Sequence, residues 1–111
     1  MTDGLCTARL LAGDVLGMSL GTADADSPLA PAMHAWRLAG GGEVGVWEAG
    51  PGTDTDVEED EVFVVLAGAG SVTFQDGSSL ELRPGVVVRL VKGDRTSWDI
   101  TQRLRKLYVA T

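Results

Sequence analysis

Between Glu61 and Thr96 the chain is a succession of short apolar runs, each cut off by chain-reversing residues. The stretch reads EVFVVLAGAGSVTFQDGSSLELRPGVVVRLVKGDRT, its Val, Phe and Leu clusters closed by Gly, Asp-Gly or Pro-Gly. Runs of about four to six β-branched or aromatic residues with such punctuation are strands. The gaps between them are too short for crossover helices, so antiparallel turns must join the strands. The centre of the molecule is therefore a β-meander.

A chain of 111 residues makes one domain, and a domain of this size buries roughly two-thirds of the surface its unfolded chain exposes. Hydrophobic residues make up 44% of it, enough for a packed core and against global disorder. Its 15 glycines suit a protein with many tight turns. Sixteen acidic and nine basic residues give a formal charge of -7, which argues against nucleic acid or an anionic membrane surface as partner. No run approaches the roughly 20 apolar residues of a membrane span, and the opening residues lack the basic-then-apolar pattern of a secretory signal. The single cysteine, Cys6, cannot form an internal disulfide, so a reducing cytoplasm is the expected compartment.

Residues 1–32 are expected to form an N-terminal arm with one or two edge strands, because Gly13, Gly17 and Gly21 interrupt any long helix and Asp24 to Pro28 reads as a loop. Residues 33–111 are expected to form the barrel. Strands are predicted at Ala35–Leu38 and Val44–Ala49, the second ended by Gly50-Pro51-Gly52. Thr53 to Glu61 carries six carboxylates in nine residues, and such a charge run ordinarily is a solvated loop. Strands then follow at Val62–Leu66, Ser71–Phe74 (after a Gly68-Ala69-Gly70 turn), Leu80–Leu82, Val86–Val91, Thr96–Ile100 and Leu104–Ala110, with an Asp76-Gly77 hairpin signal among them. About nine strands with regularly spaced turn signals predict an all-β sandwich or small barrel.

Two spacings narrow this. Glu61 is followed by six residues and Gly68; Gly85 is followed by five residues, then Val91-Lys92-Gly93, two residues, Thr96, three residues and Ile100. These follow the skeletons of the two motifs of the cupin superfamily. Further matches are Gly45-Val46-Trp47-Glu48, Pro51-Gly52, Thr96-Ser97-Trp98 and Arg105-Lys106-Leu107-Tyr108. From about Trp36 to Val109 the chain thus resembles the ureidoglycine-aminohydrolase-like and ethanolamine-utilisation-like cupins. The resemblance implies a single-domain jelly-roll β-barrel, and a homodimer.

In metal-binding cupins a His-x-His pair, a Glu and a second-motif His converge on one ion. The pair falls here on Thr55 and Val57 or on Asp54 and Asp56, and the second-motif His is Thr96; of the four positions only Glu61 matches. The only histidine, His34, precedes the motif. Zinc or iron usually requires imidazole or thiolate, so no metal and no cofactor is expected. Two alternatives stay open: an oxygen cage of Asp54, Asp56 and Glu61 around a hard cation, or His34 reaching in from a neighbouring strand.

If Glu61 points inward, period-two alternation brings Phe63 with it, and Thr96 brings Trp98. Trp47, Lys106 and Tyr108 are expected near the same mouth. This cavity would suit a small organic ligand, bound by Trp47, Phe63, Thr96, Trp98, Lys106 and Tyr108. Glu61 is the candidate catalytic acid or base, since a carboxylate buried on an apolar strand needs a partner, a raised pKa or a function; its structural partners would be Arg89, Arg95 or Lys106. The leading expectation is a metal-independent cupin that binds a small metabolite, with a proton-transfer, lyase or hydrolase-type step at Glu61. A non-catalytic binding, sensing or partner-stabilising module and a metal-dependent enzyme resembling ureidoglycine aminohydrolase are the alternatives.

Overall fold

The computed structural model describes residues 4–111; the first three residues of the expected arm lie outside the described residues. Eight strands account for the fold: β1 (Gly21–Thr22), β2 (Ala32–Arg37), β3 (Glu43–Ala49), β4 (Gly52–Val57), β5 (Glu61–Phe74), β6 (Ser79–Leu82), β7 (Val87–Leu90) and β8 (Arg95–Ala110). All pair antiparallel. No helix among the described residues is long and apolar enough to cross a membrane.

Two long strands, β5 and β8, organise everything else. The first half of β5 pairs with the last third of β8, from Glu61 opposite Ala110 to Val65 opposite Lys106; its second half pairs with the beginning of β8, from Gly70 opposite Ile100 to Phe74 opposite Thr96. Each half then recruits its own neighbours. β3 joins the end of β8 and β7 the start of β5, with β2 and β1 continuing outward from β3. β4 joins the start of β8, and β6 the end of β5. The result is the two-layered jelly roll that the sequence resemblance implies. Its core is a single apolar cluster including Phe63, Val65, Val72, Leu82, Leu90, Ile100 and Leu104.

Three features differ from the pattern read in the sequence. Gly68-Ala69-Gly70 is not a turn but a bulged corner inside β5, with register shifts between Val65 and Gly70. Across the corner the register with β8 slips by one residue, and the inward positions of β5 change from odd (Phe63, Val65) to even (Val72). Similarly, β8 runs unbroken from Arg95 to Ala110, so four expected strands are two. Finally, Gly52–Val57 is a strand, although its sequence is polar and acidic. Only one face of β4 meets the interior, and its backbone hydrogen bonds to β8 supply an order that its side chains do not announce.

The corner depends on absent side chains. Gly68 has φ +92° and a Cβ there would fall on the Arg103 carbonyl oxygen; at Gly70 it would press on the backbone of Asp99 and Ile100. Outside the barrel, the arm is tied down by main-chain bonds and by two arginines. Cys6 donates its N–H to Arg37 O and accepts from Ala39 N. Arg105 donates to the carbonyls of Val15 and Met18, and Arg103 to those of Ala30 and Gly50. Both guanidiniums also pair with Glu48. Burial raises the pKa of Glu48, but the hydrogen bonds and charges of Arg103 and Arg105 outweigh it and leave the carboxyl below its ordinary value.

Gly68→Ala is expected to destabilise the domain by about 3 kcal/mol, through backbone contact and a disfavoured φ. Gly40, which has nothing within 4 Å of its would-be Cβ, is the control: Gly40→Ala should stay within about 0.5 kcal/mol of the parent. Urea titration of the two variants checks this, and equal midpoints would refute the role given to the corner.

Candidate functional site

The cavity lies against the inner face of β3, β8 and β5, with β4 and the arm at its mouth, and has a volume of about 540 Å³. The strand registers put its floor together. Trp47 of β3 and Val65 of β5 are both opposite Lys106, and Gly45 and Phe63 are both opposite Tyr108. Alternation on each strand turns Glu61, Phe63, Lys106 and Tyr108 the same way. Gly45 is required beneath Tyr108, because a Cβ would overlap the phenol ring.

Lys106 is the centre of this arrangement. Its side chain is 8% exposed, and its Nζ donates to Glu61 Oε2 at 2.7 Å. The ammonium also lies over four rings, at 4.4 Å from Phe63, 4.9 Å from Trp47, 5.1 Å from Trp98 and 5.9 Å from Tyr108. Charge removed from water is costly; here a carboxylate and the negative faces of the rings replace part of the lost hydration. The rings also pack on one another, with Trp98 5.9 Å from Trp47 and 5.7 Å from Phe63.

Two more carboxylates hold ring substituents in place. The Tyr108 hydroxyl donates to Glu43 Oε2 at 2.7 Å; burial first, then Glu43 and the charge of Glu61, push the phenol pKa well up, so it stays a proton-bearing donor. Glu58 Oε2 accepts from Thr96 Oγ1 at 2.6 Å and from the Trp98 indole N–H at 3.1 Å. Burial raises the pKa of Glu58 despite these two bonds, with the charge of Asp56 adding to the rise.

Trp47, Glu61, Trp98, Lys106 and Tyr108 all line the cavity. Phe63 lies beneath Lys106 as part of the floor, fully buried in the core. Thr96 is not on the wall; its hydroxyl is spent on Glu58. Glu58 and Glu43 were not singled out by sequence reasoning. Glu43 shares the inward face of β3 with Gly45 and Trp47, so alternation counted back from Trp47 finds it. Glu58 lies between β4 and β5, where no periodicity applies, and its neighbours in the acidic run look the same.

The donors do not suit a metal. Among the described residues no group of three His, Cys, Asp or Glu side chains is placed to hold an ion. Glu61 is engaged by Lys106. Asp54 accepts from Ser27 Oγ and from the N–H of Thr55, and Asp56 from the N–H of Val57. His34 is exposed on β2, edge-on to Trp36. Neither the oxygen cage nor the histidine rescue is assembled.

Two expectations follow from this geometry. Lys106→Met strands the Glu61 carboxylate and should cost about 2 kcal/mol, less than the 3–5 of a fully buried pair because Glu61 keeps some contact with water; Lys106→Met/Glu61→Leu should recover most of it. A double variant no more stable than the single one in urea titration would contradict the pairing. For Glu58, the raised folded-state pKa means that the native state holds the proton more tightly than the unfolded chain does. Its contribution is therefore fully present below the ordinary value of 4.5 and is lost as pH rises through the folded pKa. Compared with Glu58→Gln, the parent should lose stability from about pH 4.5 upward and then level off; parallel stability–pH curves would count against a Glu58 whose pKa is raised by burial.

The profile of the EutQ-like cupin domain matches residues 37–108. Among solved structures, the ethanolamine utilization protein Q of Salmonella typhimurium LT2 superposes with a TM-score of 0.71 at 22% identity, over 82% of this chain and 76% of that one. A DUF861 family protein from Thermotoga maritima gives 0.54 at 28% identity, over 57% and 73%. Ectoine synthase from P. lautus gives 0.65 at 17% identity, over 78% and 66%. No curated protein matches the sequence. The profile match, over more than half of its length, makes this chain a member of the EutQ-like cupin domain family.

Proposed function

We propose that this chain is a metal-independent cupin that binds a small organic metabolite inside the barrel and uses Glu61 to move a proton on it. The observation that carries the reading is the Lys106–Glu61 pair, which forms the floor of a roughly 540 Å³ cavity walled by Trp47, Trp98 and Tyr108. A cavity of this size, with aromatic rings on its floor and charged and polar groups around its mouth, can seat and orient a small molecule. Glu61 sits at the position of the surviving family carboxylate, and its partner is a tethered ammonium instead of an ion. That pair can exchange a proton between a carboxylate and an amine at 2.7 Å, which supports a proton-transfer, lyase or hydrolase-type step. The Tyr108 hydroxyl, held by Glu43, and the Glu58 carboxyl, held by Thr96 and Trp98, add two oriented polar groups on the same wall.

Elemental analysis after dialysis against manganese, zinc, iron and nickel should find metal well below stoichiometry. Near-stoichiometric metal that disappears in Glu61→Gln would defeat the proposal. In a thermal-shift screen of small metabolites, a true ligand at a hundredfold excess over its Kd should add about 2.7 kcal/mol of stability. Turnover lost in Glu61→Gln with ligand binding retained marks the catalytic case; binding without any turnover in the parent leaves a binding or sensing module.

A further inference from the structure

We propose that Lys106 captures carbonyl compounds: small neutral aldehydes or ketones entering the cavity condense with its Nζ to give an imine, and Glu61 carries the proton. This rests on the reading of the cavity as a small-molecule site and adds the class of substrate. The chain has only two lysines, Lys92 and Lys106. Lys92 is exposed in the turn before β8. Where the fold needs a permanent cation it uses arginine: Arg103 and Arg105 hold Glu48 and the arm. At the cavity floor it has lysine, a basic side chain that can give up its proton and become a nucleophile.

The surroundings fit that chemistry. Glu61, at 2.7 Å, can accept an ammonium proton. The free amine then attacks the carbonyl carbon; a C–N bond forms and the π electrons move to oxygen. Proton transfer from nitrogen to oxygen gives a carbinolamine. Protonated Glu61 returns its proton to the hydroxyl, which leaves as water, and the C=N bond forms. The sum is ammonium plus carbonyl giving iminium plus water. The iminium inherits the charge that the four rings and the Glu61 carboxylate already accommodate.

The mouth sets the charge of what enters. Seven of the lining residues are carboxylic acids and only Lys106 is basic, so the field disfavours anionic carbonyl compounds and admits neutral ones.

The test treats the full chain with glycolaldehyde or glyoxylate plus cyanoborohydride, and reads adducts by peptide mass spectrometry, with Lys92 as the internal control. Glycolaldehyde should label Lys106 at least about tenfold faster than Lys92, and at least about tenfold faster than glyoxylate labels it, each factor of ten being 1.4 kcal/mol. Glu61→Gln should slow labelling of Lys106 while leaving Lys92 unchanged, and Lys106→Arg should abolish the adduct on the β8 peptide while leaving that on Lys92. Saturation-transfer NMR of glycolaldehyde without reductant separates the two readings. Bound glycolaldehyde with no preference for Lys106 overturns imine formation and leaves the cavity reading standing, whereas neither binding nor adduct overturns both.

Discussion

The pairing of β5 with β8 is the constraint on which the structure depends. Both strands are long enough to belong to both layers, so the barrel is made by bending one ladder and not by stacking two independent sheets. Bending a ladder needs a place where the backbones approach more closely than side chains allow. Gly68 and Gly70 provide it, against the backbone from Asp99 to Leu104. The spacing from Glu61 to Gly68 therefore has a physical reading: it is the length of strand between the cavity floor and the corner.

Given that frame, the cavity floor is an exercise in placing charge where water is scarce. One ammonium, one carboxylate and four rings meet within about 6 Å, the range over which a cation feels a ring. Around them, Glu43 orients Tyr108 and Glu58 orients Thr96 and Trp98. No buried side-chain polar atom among the described residues lacks a hydrogen-bond partner. Such a network, once complete, holds the rings in one arrangement. The positive charge at the focus of these rings is the Lys106 ammonium.

Much of the fold was legible in the sequence because its signals are local. Asp76-Gly77 makes its hairpin, with Phe74 and Ser78 bonded across it, and alternation put Phe63 on the face of Glu61 and Trp98 on the face of Thr96. Errors came where a nonlocal partner decides the conformation. Gly68-Ala69-Gly70 has the composition of a turn, and only the neighbouring Arg103 backbone makes it a corner. Thr53 to Val57 has the composition of a solvated loop, and only β8 makes it a strand. In the site, Glu61 and Lys106 could be placed on faces, but Glu58 could not: an acid in an acidic run acquires significance only when Thr96 and Trp98 arrive from nearly forty residues away.

The inward residues of β8 are Thr96, Trp98, Ile100, Leu104, Lys106 and Tyr108, and its odd positions carry the arginines that hold the arm. Both sides of this strand are thus committed, and length is what keeps them apart. Removing or adding one residue between Ile100 and Leu104 would exchange the faces beyond it: a guanidinium would turn toward the rings and the lysine toward the arm. The same change at Gly77 or Gly93, in open turns with nothing within 4 Å of a would-be Cβ, moves no strand face. Tolerance to insertion and deletion in this protein should therefore follow not exposure or sequence polarity but whether the altered segment has a side to choose.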